Sequence, residues 1–375
     1  MEELVRNLAV HYPDWITLLL AAFGVSFVAT GGLLRLRNLS KFSPEIRDRD
    51  VHTVRKPRLG GVAMWLSFVV MAVAIFSFRT DLSFGQGTVL GVDRVLLGFG
   101  IGLVVVLVAG LLDDVKGLTP GQQLIGQFLA ATAVIWGGVQ MEFIRLPIGG
   151  DLSFTANAFD LPSWLGGGVI YPVGALLTYL WVMVIINVMN FFDGLDGLAG
   201  SVAATASVVM FLVCLVLGLP APAMLALLLA GVTLGFLPWN WHPSKLFMGT
   251  VGSQMLGFVL AVTAIVSGSK VATAVLVLGI PVLDALVVVA RRLLAGVSPF
   301  KADQRHLHHR LLRLGMPVPW VVITINTIAA IFGFLALRTQ NTEGKGILTL
   351  SLVIAMFLVI LATYLLERRA RQRVD

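Results

Sequence analysis

The sequence predicts an all-α polytopic membrane protein, on three observations. Of its 375 residues, 57% are hydrophobic and only 13% are charged, about half the charge that an ordinary soluble domain carries. The mean hydropathy of +0.91 leaves too few polar residues to coat a soluble surface, and it excludes a disordered chain on the same ground. The apolar residues fall in eleven runs near the ~20 residues that cross a bilayer as a helix. The runs lie at 15–34, 60–78, 95–112, 121–138, 168–186, 198–217, 222–238, 250–267, 271–290, 318–337 and 346–366. Glutamines weaken the run at 121–138 and brevity weakens 222–238. Residues 1–375 read as one integral membrane domain.

The chain starts Met1-Glu-Glu-Leu-Val-Arg, without the basic n-region or cleavage site of a signal peptide, so the first span is expected to be retained. An odd number of spans puts the termini on opposite sides. One set of loops, 35–59, 113–120, 187–197, 239–249, 291–317 and the tail 367–375, carries 20 of the 27 Lys and Arg residues. Basic residues concentrate on the cytoplasmic side, so the N-terminus is expected outside and the C-terminus inside. The long external loop 139–167 is rich in glycine turns and suggests a short hairpin. Cys214 is the single cysteine, so the chain holds no internal disulfide. No nucleic-acid partner is expected.

Carboxylates beside membrane spans are costly and tend to mark function. Asp113, Asp114, Asp193 and Asp196 sit at expected cytoplasmic span ends or loops, and Asp284 lies about two helical turns inside the ninth span. A proton-coupled transporter would place such groups near the midplane with access from both sides. Gathering them on one face suits an enzyme fed from the cytoplasm. Asp113-Asp114 closes a helix before Lys116-Gly-Leu-Thr-Pro120. Adjacent acids repel unless a cation or shared proton offsets them, and hard oxygen ligands suit Mg²⁺, with Mn²⁺ as the alternative. Acids at a helix C-terminus also oppose its dipole and need another reason to be there.

Asn187, Asn190 and Asp193 recur at i, i+3 and i+6, on one face if helical, with Asp196 three residues on across Gly194. A third cluster, Phe236-Leu-Pro-Trp-Asn240-Trp-His242-Pro243 to Gly252-Ser253, reads equally well as an interfacial aromatic belt. The fourth runs from Arg291-Arg292 to Arg305-His306-Leu-His308-His309-Arg310. Its basic residues are also positive-inside residues, but the histidines are not accounted for that way. The surrounding Lys and Arg favour an anion there over another cation.

Together these clusters resemble the polyprenyl-phosphate N-acetylhexosamine-1-phosphate transferases, integral membrane enzymes of glycosyltransferase family 4 that start cell-envelope polysaccharide assembly. The likeness covers about His52 to Arg313. It rests on Pro57-Arg58-Leu-Gly60-Gly61, on Asp113-Asp114, and on Asn187-x-x-Asn190-x-x-Asp193-Gly-Leu-Asp196-Gly. Phe247-Met248-Gly249 with Gly252-Ser253 and His306-Leu-His308-His309-Arg310 complete it. The His-x-His-His-Arg ending resembles the N-acetylglucosamine branch.

The resemblance implies transfer of N-acetylhexosamine-1-phosphate from a UDP-sugar to undecaprenyl phosphate with release of UMP. It also implies Mg²⁺ (or Mn²⁺), a site on the cytoplasmic face of the cell membrane, and contact with membrane lipid; a homodimer is left open. Asp113, Asp114 and Asp193 would be catalytic, with Asp113 binding or deprotonating the acceptor phosphate and Asp114 supporting it or the metal. Asn187, Asn190, Asp196, Arg58, Arg291, Arg305, His306, His308, His309 and Arg310 would bind substrate, with Asp196 at the uridine and Arg58 at the lipid phosphate. Two positions depart from the pattern. Thr250 stands where the family has a metal-binding aspartate, and Gln123 stands where relatives often have lysine. Three explanations follow: metal held by Asp113, Asp114 or Asp193 with Thr250 through water, an impaired site, or a paralogue that binds ligands without turnover.

Overall fold

The computed structural model describes residues 2–35, 56–79, 81–145, 150–162, 166–268, 271–298, 306–339 and 342–371. The helices are α1 Glu2–Leu34, α2 Gly60–Phe78, α3 Arg94–Lys116, α4 Pro120–Trp136, α5 Pro172–Phe192, α6 Leu198–Val216, α7 Pro220–Asn240 and α8 Gly249–Val266. They continue as α9 Val271–Val277, α10 Gly279–Leu294, α11 Leu307–Arg313, α12 Val318–Arg338 and α13 Thr342–Arg371. In hydrocarbon every backbone N–H and C=O must be satisfied within the segment, so apolar runs of this length close their bonds as helices.

All eleven expected runs are helical, but not all as expected. Nine of the described helices are long and apolar enough to span, or ten if one bent pair is a single span. The run at 121–138 forms α4, 17 residues long and not among those nine. The run at 271–290 is not one straight helix: it breaks at Leu278, and α9 and α10 meet at 83°. Several helices also outrun their apolar stretch. α5 continues to Phe192 and takes in Asn187 and Asn190, α3 takes in Asp113 and Asp114, and α7 reaches Asn240.

Three two-stranded antiparallel hairpins lie at the end opposite the acids. They pair Thr88–Val89 with Val92–Asp93, Phe143–Arg145 with Asp151–Ser153, and Phe159–Asp160 with Val169–Ile170. The last two give the 139–167 region the hairpin expected of it.

α8 is the hub. Each of its residues from Gly249 to Ile265 is buried, and α2, α3, α5, α6 and α7 pack round it. Small residues permit the close approach. A methyl on Gly61 would lie 2.1 Å from the Gly252 nitrogen, and one on Gly110 would lie 2.7 Å from Val251 Cα. The Pro57–Gly61 segment is stitched onto Phe247-Met248 by three main-chain bonds, Phe247 N to Pro57 O, Gly60 N to Phe247 O and Gly61 N to Met248 O. The Pro57–Gly61 motif and the third sequence cluster are thereby joined before any side chain is considered.

Candidate active site

The turn between α3 and α4 is built by local chemistry. Gly117 ends α3 in the left-handed conformation, and Thr119 with Gln122 forms a capping box ahead of Pro120. That turn brings donors back onto Asp113. Its Oδ1 accepts from Leu118 N at 2.9 Å and from Gln123 Nε2 at 2.8 Å. Its Oδ2 accepts from the Thr250 hydroxyl at 2.6 Å. Asp114 meets the start of α8, accepting from Thr250 N at 2.9 Å and Val251 N at 3.3 Å. This is the reason the pair tolerates a helix C-terminus: a second helix offers its positive end. Gly249 makes the approach possible. Its φ is +70°, and a methyl there would lie 2.4 Å from Arg58 O and 2.7 Å from Asp114 Oδ2.

The second cluster contributes from the end of α5. Asn190 accepts from Ser253 Oγ at 3.0 Å, which ties it to α8. Asp193 caps α5 and is half-buried. Part of its surface stays open, yet burial pushes its carboxyl up to about 8; Arg58 draws it back, and Asp114 and Asp196 push it further up. Arg58, Asp114, Asp193 and Asp196 therefore share one electrostatic neighbourhood. Asp196 is itself 3% exposed. It accepts from Ser244 N at 3.0 Å and Ser244 Oγ at 2.7 Å and pairs with His242 Nδ1 at 3.0 Å. It thus clamps the α7–α8 connector onto the α5–α6 connector. Asn240 reinforces the clamp, accepting from Gly197 N and donating to Leu246 O.

The fourth cluster folds over the second. His308 is fully buried; its ring meets Phe192 edge-on at 5.7 Å and stacks near-parallel on His306 at 5.6 Å. A methyl on Gly194 would lie 2.6 Å from His308 Nε2. Burial, with smaller contributions from His309 and His306, holds the His308 imidazole well below its usual range, so it is neutral at pH 7. His309 and Arg310 follow on α11, both half-buried.

Most of the expected site residues therefore converge at one end of the bundle. Asn187 sits one turn further from that end than Asn190. Its amide exchanges hydrogen bonds with Gln127 at 2.6 and 3.3 Å and donates to Met183 O. Arg291 lies in the last turn of α10, half-buried. Arg305 lies outside the described residues. Sequence reasoning did not single out Gln127, His242 or Ser244 for the contacts they make. Asp284 carried a signal, as a lone acid in an apolar run, but the break at Leu278 moves it. It is not two turns inside a straight span but on α10, against the histidine segment.

Among the described residues no three His, Cys, Asp or Glu side chains come together to hold a metal by themselves. The donor chemistry fits Mg²⁺ in its usual shared mode, with a few carboxylates beside water and substrate phosphate. Asp113 and Asp114 each retain lone pairs for it, and Asp193 offers an oxygen donor with no hydrogen bond among the described residues. Thr250 already spends its proton on Asp113.

Fold and site together define a polytopic helical membrane protein with carboxylates, an arginine and histidines gathered at one end. The glycosyl transferase family 4 profile matches residues 96–268. The decaprenyl-phosphate N-acetylglucosaminephosphotransferase of Mycobacterium tuberculosis is 34% identical over 341 residues, covering 84% of this chain and 80% of the relative. A probable undecaprenyl-phosphate N-acetylglucosaminyl 1-phosphate transferase of Bacillus subtilis is 29% identical over 85% of this chain and 82% of its own length. The phospho-N-acetylmuramoyl-pentapeptide-transferase of Halalkalibacterium halodurans is 29% identical over 91% of this chain and 99% of its own length. The chain belongs to the polyprenyl-phosphate N-acetylhexosamine-1-phosphate transferases of glycosyl transferase family 4.

Proposed function

We propose that the protein transfers N-acetylglucosamine-1-phosphate from its UDP-sugar to undecaprenyl phosphate in the cell membrane, releasing UMP on the cytoplasmic side. The observation that carries this reading is the convergence of Asp113, Asp114, Asp193, Arg58 and the histidines of α11 at one end of the helices. The bias of Lys and Arg to that end supports its cytoplasmic placement. Donor and acceptor are both phosphates, so mutual repulsion is a main part of the barrier. Asp193 with Asp113 or Asp114 would hold Mg²⁺, which would supply charge neutralisation on the diphosphate.

The chain's own residues do the rest. Asp113, oriented by three donors, is the acceptor-side carboxylate. Arg58 balances the acids and would meet the lipid phosphate. Neutral His308 offers ring nitrogens without adding charge, and Asp196 holds the connector that shapes the nucleotide end.

A second reading is favoured by one contact. The Thr250 hydroxyl occupies Asp113 Oδ2, which suits a weakened enzyme or a binding paralogue. Membranes supplied with undecaprenyl phosphate, Mg²⁺ and a panel of UDP-N-acetylhexosamines decide between them. UMP and a lipid-linked sugar are expected with UDP-N-acetylglucosamine. No UMP from any sugar, with retained nucleotide binding, establishes the paralogue instead.

A further inference from the structure

Asp284 lies in the second turn of α10, 3% exposed. The outward stripe of α10 is apolar: Leu286, Val287, Leu293 and Leu294 are all exposed. Asp284 faces the other way, into the protein. An ionised carboxylate in such a place costs several kcal/mol unless it is paired and hydrogen-bonded. Among the described residues it has two partners, both at the start of α11. Leu307 N donates to Oδ1 at 2.8 Å, and His306 Nδ1 lies 2.7 Å from Oδ2.

A carboxylate only accepts, so His306 Nδ1 carries a proton, and Nε2 is the nitrogen left to meet a ligand. The ring so oriented stacks on His308 at 10° between planes. His308 in turn rests on Phe192 and over Gly194, next to Asp193. An unbroken series of contacts thus runs from α10 to Gly194, the residue that follows Asp193.

We infer that Asp284 is a positioning residue: by accepting from His306 Nδ1 and Leu307 N, it fixes the tautomer and orientation of His306 and, through it, the packing of His308 on the Asp193 connector. This rests on the proposed transfer reaction for its consequence in rate, though not for its geometry.

Asp284→Asn separates this role from simple support. The amide oxygen still accepts from Leu307 N, so α11 keeps its anchor. The amide nitrogen now donates toward His306 Nδ1, which must present a lone pair and shift its proton to Nε2. Three measurements follow on the full-length protein in detergent or nanodiscs. In ¹⁵N-histidine spectra, wild-type His306, assigned with His306→Gln, shows the Nδ1–H form, and Asp284→Asn moves it to Nε2–H. In UMP release, kcat falls by ~10-fold or more while KM for UDP-N-acetylglucosamine moves less than ~3-fold. In the His306→Gln background, Asp284→Asn changes the rate by less than ~2-fold, because the effect passes through that ring.

A wild-type Nε2–H tautomer overturns the inference without any need for the Asn variant to fold. So does an Asp284→Asn rate within ~2-fold of wild type, or an equal loss in both backgrounds. If the wild type releases no UMP at all, the transferase reading fails, and the spectra still decide the positioning role.

Discussion

Thr250→Asp is the most informative single change. The Thr250 hydroxyl donates to Asp113 Oδ2 at 2.6 Å, and its backbone nitrogen donates to Asp114. Aspartate removes the side-chain donor and sets a third carboxylate against two. Even after relaxing apart to ~4 Å, two such charges repel by about 4 kcal/mol at an effective dielectric of 20. Asp113 and Asp114 are half-buried, so water reduces this to roughly 2–3 kcal/mol.

The lost hydrogen bond adds about 1 kcal/mol. A divalent cation held by these carboxylates would reverse the sign. The purified variant should therefore melt several degrees below wild type in EDTA and recover most of that with Mg²⁺, whereas wild type should respond little to either. If Thr250 weakens the metal site, UMP release in Mg²⁺ rises by ~10-fold or more, equal to ~1.4 kcal/mol of barrier. A variant that melts like wild type in EDTA, or stays low when Mg²⁺ is added, would refute the reasoning about this carboxylate cluster.

Gly249→Ala forces a Cβ onto a backbone at φ +70° and against Arg58 O; a melting-temperature loss equivalent to at least ~1–2 kcal/mol is expected, with UMP release falling as Thr250 and Val251 N shift off Asp114. Asp114→Ala removes the anion from the α8 N-terminus and should cost ~1–3 kcal/mol in chemical denaturation as two main-chain donors lose their partner. His308 titrates lower folded than unfolded, so its contribution to stability is present above its unfolded value near 6.5 and is lost as pH falls below that. His308→Phe should flatten the fall in melting temperature between neutral and acid pH, and an unchanged acid loss would count against it. Asp196→Ala should raise KM for the nucleotide sugar more than it lowers kcat, because it frees the Ser244 connector.

How much of this was legible beforehand differs from residue to residue. Asp113, Asp114 and Asp193 stood out because ionised side chains beside apolar runs are expensive, and the structure places all three at one end. The ends of the helices were harder to read. Hydropathy falls off at Ile186, but main-chain bonding carries α5 on to Phe192, so Asn187 and Asn190 are helical and Asn187 pairs inward with Gln127. The break at Leu278 was not legible either. An apolar run reads the same whether straight or bent by 83°, and only the demand of Asp284 for buried partners on α11 shows what the bend achieves.

The sequence alone determined a helical membrane protein, the end of the bundle where its acids gather, and the family to which those residues point. The first two follow from composition and from one-dimensional spacing, because the cost of a polar group in lipid depends on the residue and its depth; the family follows from the resemblance of its motifs. Tertiary structure decided which donor meets which acid. The Thr250–Asp113 bond spans 137 residues and the Asp284–His306 contact spans 22. Hydrogen bonds act only within about 3.5 Å, so such pairings exist only once the helices have packed.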